Sequence, residues 1–298
     1  MKIINQGNHQ YYLFKISYLL LAIIAILIIH SKPTTSQEVE NEREFDYSEE
    51  SEKGPEHWGE LHEEWEACKN GEMQSPIDLL HKRVEVVSKL GKLKRCYKPS
   101  NAILKNRGHD ISLQWIGGGA GSVKINGTDY ELQQCHWHSP SEHTINGKRF
   151  DLEMHLVHLS PDHSLVNRIK VTGIMFRIGR PDPFLSELEK EIMSIADSKE
   201  NITVGVVDPR HIKMWDREYY YRYMGSLTVP PCTEGVLWTI SKRIRTVSKK
   251  QVELLRTAVH DHAERNARPL QSLNAREIHL YDPNFRGHDV DALDKSHY

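Results

Sequence analysis

Apolar and polar residues along this chain mostly alternate in short runs, punctuated by glycine, proline and asparagine. Alternation with period two puts one face of a strand inside and the other outside. It predicts strands over Ala102–Lys105, Ile111–Trp115, Ser122–Ile125, Leu132–His138, Phe150–His158, Lys170–Ile178 and Gly235–Ile240. Helical spacing is confined to Phe184–Ala196, entered through Asp182-Pro183, and to Ser248–Ala267. Asp197–Asp208 has no clear period, and no repeat of fixed length is visible. The pattern reads as mainly β (α+β) with few helical stretches.

Both ends stand outside this pattern. Tyr18–Ile29, YLLLAIIAILII, is an unbroken apolar run preceded by Lys2 and Lys15 and followed by small and polar residues in Ser31–Gln37. It has the length of a signal-peptide core and is short for a bilayer span, so residues 1–37 are expected to be a secretory leader; an uncleaved signal anchor is the alternative. Residues 38–53 form an acidic, exposed lead-in, and residues 284–298 a polar tail with no hydrophobic end for a lipid anchor. Roughly 260 residues remain after the leader, within the range of one large domain.

Composition adds limits. Hydrophobic residues make up 38% of the chain, enough for a core, and the formal net charge of −2 gives no electrostatic case for nucleic acid or an anionic membrane. Export permits disulfides, and four cysteines, Cys68, Cys96, Cys135 and Cys232, allow three pairings. It also makes the sequons at Asn126 and Asn201 usable for glycosylation.

The chemistry concentrates in Glu131–His158. Asn146-Gly147 is the dipeptide of a type I′ hairpin turn. Before it, His136 and His138 are two apart and share a strand face; after it, His155 arrives on the return strand. Three imidazoles on a rigid sheet leave the fourth tetrahedral position of Zn²⁺ open, as catalytic zinc requires. Glu153 shares the face of His155 and is placed to accept its second ring N–H. Cys135 faces away from the ligands as a buried thiol. Such spacing also arises by chance among 18 histidines. His260-Asp261-His262 falls in a helical stretch, where residues two apart diverge, and His62-Glu63-Glu64-Trp65-Glu66 lacks the second histidine of a zinc-protease helix.

The segment QCHWHSPSEHTINGKRF…EMHLVH closely resembles the zinc hairpin of alpha-class carbonic anhydrases in their plant-like form. The resemblance runs from about Phe45 to Pro283, defining the domain as residues 45–283. It includes GPEHWGEL at Gly54–Leu61, QSPIDL at Gln74–Leu79, NRGHD at Asn106–Asp110 and YMGSLTVPPCTEGVLW at Tyr223–Trp238. It implies a single domain with a central, twisted, mostly antiparallel sheet of about ten strands and peripheral short helices. It further implies Zn²⁺ on His136, His138 and His155, and reversible hydration of CO₂ to bicarbonate and a proton by zinc-bound hydroxide.

Other roles follow from the same resemblance. Thr228 matches the threonine that accepts a hydrogen bond from the hydroxide and passes its own proton to a buried carboxylate, here Glu142. Val157, Val171, Leu227, Val229, Val236 and Trp238 match the wall beside the metal, Val229 standing where many animal members have threonine. His109 matches the proton shuttle, and Tyr47 a residue that orders its water chain. Arg107 replaces an asparagine of that chain. Gln134 matches a partner of a ligand histidine, and Asn274 or Ala275 falls near a further asparagine of the ligand surroundings. Exported members often link the equivalents of Cys68 and Cys232. Dioscorins, tuber proteins that also resemble this chain, make a catalytically idle storage or carbohydrate-binding protein the alternative. A membrane-anchored receptor-like domain would need a later span that the sequence lacks. The small-molecule substrate is the one partner implied. The expected location is extracellular or apoplastic through the secretory pathway, or the plastid stroma by the same route.

Overall fold

The computed structural model describes residues 44–196, 201–214, 219–259 and 263–285. The expected leader, residues 38–43 of the acidic lead-in, the His260-Asp261-His262 triplet and the tail from residue 286 lie outside the described residues. The strands are β1 (Asp78–Leu79), β2 (Val84–Val86), β3 (Lys94–Tyr97), β4 (Ser100–Asn106), β5 (Ile111–Trp115), β6 (Gly121–Ile125), β7 (Thr128–His138) and β8 (Thr144–Ile145). They continue as β9 (Lys148–Arg149), β10 (Leu152–Leu159), β11 (Ile169–Ile178), β12 (Asn201–Val207), β13 (Tyr220–Ser226), β14 (Glu234–Ser241), β15 (Arg245–Val247) and β16 (Ile278–Tyr281).

A 13-stranded sheet holds most of them, in the order β12-β4-β5-β7-β10-β11-β14-β13-β16-β2, with β15 beside β11, and β3 reached through β6 from β7. Its pairings are antiparallel except β11 with β14 and β15, and β16 with β2. The ten-strand path and its dominant antiparallel sense match the expectation; the flanking strands widen it. The pleat sorts side chains to two faces. Trp137, Met154 and Leu156 join one apolar cluster with Trp58, Leu104 and Phe184. Val171, Val236 and Trp238 join another with Ile77 and Tyr221.

Some expectations change in detail. The Asn146-Gly147 turn does form, with φ of 49° and 75°, but it closes the small β8–β9 hairpin. That hairpin pairs with β1 as a separate three-stranded sheet. β7 and β10 are nevertheless antiparallel neighbours, with His136 opposite His155. The stretch without a clear period contains β12, an edge strand with a mixed exposed and buried pattern. Its register shifts between Thr203 and Gly205, and Gly205 takes φ of 76°, which breaks the alternation.

The first helical stretch divides into Pro183–Ser186 and Glu189–Ser194. The buried Gln251 amide donates to Ser186 Oγ and Glu189 Oε1, one on either side of the break. The second stretch is helical only over Lys249–Ala258, begun by a Ser248/Gln251 capping box. Cys68 and Cys232 form a disulfide across a sequence separation of 164. Cys135 is a buried thiol and Cys96 an exposed one.

Candidate metal and catalytic site

β7 and β10 build the site. His136 and His138 project from one face of β7; across the ladder, His155 stands opposite His136 and Glu153 opposite His138. All four are buried. One nitrogen from each imidazole lies within 4.8 Å of the other two, and the ring centroids are 4.6 to 5.1 Å apart.

The outward nitrogens fix the tautomers. His138 Nδ1 meets the Asn266 carbonyl at 2.7 Å, and a carbonyl only accepts, so Nδ1 carries the proton. His136 Nδ1 donates to Gln134 Oε1 at 2.9 Å, and His155 Nε2 donates to Glu153 Oε1 at 2.9 Å. The other ring nitrogens, Nε2 of His136 and His138 and Nδ1 of His155, are those that could hold a metal. Burial pushes His136 well below the ordinary imidazole range, which keeps it neutral. Three buried imidazoles, each oriented by an acceptor behind it, fit a Zn²⁺ ion with one coordination position open.

Glu153 is the fulcrum of a larger network. Burial works to raise its pKa, yet His143, His155 and their hydrogen bonds hold the carboxyl well below its usual range. Its Oε2 accepts the backbone N–H groups of Glu142 and His143 at 2.9 and 2.8 Å. Its Oε1 meets His143 Nδ1 at 2.8 Å, and the chain runs on from His143 Nε2 to the Tyr223 hydroxyl at 2.6 Å and Ser75 Oγ at 2.8 Å. His143 and Tyr223 had no assigned part in the sequence reading, although both lie inside its motifs.

Glu142 is wholly buried, its Oε1 accepting the Arg268 backbone N–H at 3.0 Å. Burial pushes its carboxyl up to about 7, opposed by His155 and by a hydrogen bond from Thr228. Its Oε2 lies 3.6 Å from His138 Nε2 and 3.9 Å from His155 Nδ1. Thr228 and Glu142 therefore meet beside the histidines.

Val171, Leu227, Val236 and Trp238 pack in one cluster with Val157 at its edge, and the Trp238 ring is 4.9 Å from that of His155. Val229 packs instead in the cluster that contains Cys232. His109 is buried, its ring 5.0 Å from Phe45 and its Nε2 3.7 Å from Asp110 Oδ2. Tyr47 packs on Phe45 and Trp58. Arg107 is engaged in a buried two-pronged pair with Asp110. Asn274 and Ala275 are not the ligand partner: both are exposed, and Asn274 donates to the Glu72 carbonyl. Asn266 takes that place through a main-chain oxygen, a contact with no side-chain signature, while its Nδ2 donates to the His109 and Trp137 carbonyls. Asn126 and Asn201, the two sequon asparagines, are exposed.

This arrangement of three histidines backed by Gln134, Asn266 and Glu153 sits in a chain whose residues 53–282 match the profile of the eukaryotic-type carbonic anhydrase family. The chain belongs to that family. It is 56% identical over 265 residues to alpha carbonic anhydrase 7 of Arabidopsis thaliana, covering 89% of this chain and 94% of the relative. Carbonic anhydrase Nec1 of Nesocodon mauritianus is 53% identical over 87% of this chain and 93% of its own. Dioscorin DB3L of Dioscorea polystachya is 49% identical over 84% and 90%. Among solved structures, dioscorin complexed with ascorbate superposes with a TM-score of 0.76 at 48% identity, over 80% of this chain and 98% of that one. No helix among the described residues is long and apolar enough to cross a membrane.

Proposed function

We propose that the protein is a zinc-dependent carbonate dehydratase that interconverts CO₂ and bicarbonate after export. The observation that carries this is the trihistidine set, whose three outward nitrogens meet acceptors while one nitrogen of each ring lies within 4.8 Å of the other two. Zinc held there would supply a Lewis acid that brings the pKa of a bound water near 7, a value for which carbonic anhydrase itself is the reference case.

The protein's own groups do the rest. Glu142 accepts a hydrogen bond from the Thr228 hydroxyl, which leaves the lone pairs of the threonine oxygen as acceptors beside the histidines and so fixes how a nucleophilic oxygen is turned. Trp238, Val171, Val236, Leu227 and Val157 give small, apolar CO₂ a place without competing hydrogen bonds. His109 serves as proton acceptor, its ring near Phe45 and Asp110 setting its position. Delivery through the secretory route accords with the leader, the disulfide and the exposed sequons at Asn126 and Asn201.

The dioscorin matches favour a second reading, a storage or carbohydrate-binding protein on this fold. Stopped-flow CO₂ hydration separates the two. Thr228→Ala should keep zinc and lose about 10²-fold in kcat/KM, the scale for one oriented hydrogen-bonding group. An idle protein shows no hydration in wild type or variant.

A further inference from the structure

The other face of the sheet carries a second polar cluster. Val171 and Trp238 are on the histidine face, so Lys170, Thr172 and Thr239, which alternate with them, point the opposite way. Thr239 stands opposite Thr172 on one side and opposite Arg222 on the other. His158 is the cross-strand partner of Lys170. All five side chains are at least 93% buried, since the most exposed of them, Arg222, retains 7%. Lys170 Nζ donates to Thr172 Oγ1. Tyr97 closes the group, its hydroxyl 2.6 Å from His158 Nε2.

Two features of this cluster are unresolved by its own atoms. Arg222 Nε and Nη2 and Thr239 Oγ1 have no hydrogen-bond partner among the described residues. The charge is also one-sided. Burial first, then Arg222 and Arg95, push Lys170 well below the usual lysine range; burial also lowers Arg222, opposed by the Tyr220 and Tyr130 hydroxyls. No carboxylate among the described residues enters either set. A buried guanidinium with open donors and no carboxylate partner is destabilising, and the Tyr220 ring, 4.9 Å from it, offers a π face but no acceptor for those donors. Water satisfies donors but not charge. We infer that the cluster is a binding site for one small monovalent anion of halide or bicarbonate size, held by Arg222 Nε and Nη2, Thr239 Oγ1 and Lys170 Nζ. The site is independent of the histidines, because β11 and β14 separate the two faces.

Bromide is the probe. Crystals of the purified protein soaked in bromide should show an anomalous peak within hydrogen-bond reach of Arg222 and Thr239, and Arg222→Leu crystals should lack it. At constant ionic strength set with a bulky organic anion, bromide should raise the wild-type melting temperature and leave that of Arg222→Leu unchanged. If that variant does not fold, Thr239→Val takes its place in both arms. Density at the site that refines as water without anomalous signal overturns the proposal, as does an equal thermal response in wild type and variant. Bromide at other positions alone also overturns it.

Discussion

Removing the Cys68–Cys232 bridge offers a calculable test of how the chain holds its site. The bridge closes a loop of 164 residues. In the chain-entropy account a loop of that length withholds about 17 cal/mol/K from the unfolded ensemble, or about 5 kcal/mol at 25 °C. Unfolding entropy near 2.1 cal/mol/K per residue gives about 0.5 kcal/mol/K for a domain of roughly 230 residues, so the melting temperature should fall by about 10 °C. Alanine is the right replacement, since both cysteines are buried and serine would add unpaired hydroxyls. The loop that carries Thr228 keeps other ties: Gln74 Nε2 donates to the Cys232 carbonyl and Cys232 N–H to the Val229 carbonyl. Arg268 Nη2 anchors the other end at the Cys68 carbonyl. The Cys68→Ala/Cys232→Ala variant should therefore hydrate CO₂ at near wild-type kcat/KM below its lowered transition. Calorimetry of wild type, reduced wild type and variant reads the shift. A drop of about 2 °C or less in the variant would refute the entropic reasoning. Lost activity in a still-folded variant would refute the claim that these hydrogen bonds suffice to hold the loop.

Further expectations concern single residues. His155→Ala should lose zinc and hydration together, because two imidazoles do not hold the ion; full zinc with normal rates would remove β10 from the site. His109→Ala should lower kcat in dilute buffer, spare kcat/KM and be rescued by imidazole. Equal falls in both constants would assign His109 a structural part. Asp110→Asn leaves the Arg107 guanidinium buried beside a neutral amide and should cost about 3–5 kcal/mol in denaturant unfolding. In the wild type, burial opposes but Arg107 and nearby histidines prevail, holding the Asp110 carboxyl below its ordinary range. Its contribution is thus full above the unfolded pKa near 4 and is lost as pH falls further, so urea midpoints should drop in acid for wild type and much less for the variant.

The strands flanking the site were legible as short apolar-rich runs separated by turn residues. Ile111–Trp115 is found with the bounds expected from its pattern. The histidine face was legible because period two fixes His136 against His138 whatever the turn does. The hairpin signal was real but local: Asn146-Gly147 closes a four-residue ribbon paired to β1, a partner that short-range pattern does not reveal. Edge strand β12 hid behind a bulge. Asn266 escaped because its contact to His138 is made by a carbonyl that every residue possesses. His143 escaped because its partners, Glu153 and Tyr223, lie 10 and 80 residues away in sequence.

The proposed chemistry depends on one zinc ion held by His136, His138 and His155. Titrating zinc into chelator-stripped protein, with hydration followed by stopped flow and bound metal by elemental analysis, puts that dependence to the test. Hydration should rise from the buffer rate in proportion to bound zinc and level off at one ion per chain. Hydration that persists undiminished in the stripped protein, or stoichiometric zinc without hydration, would contradict it.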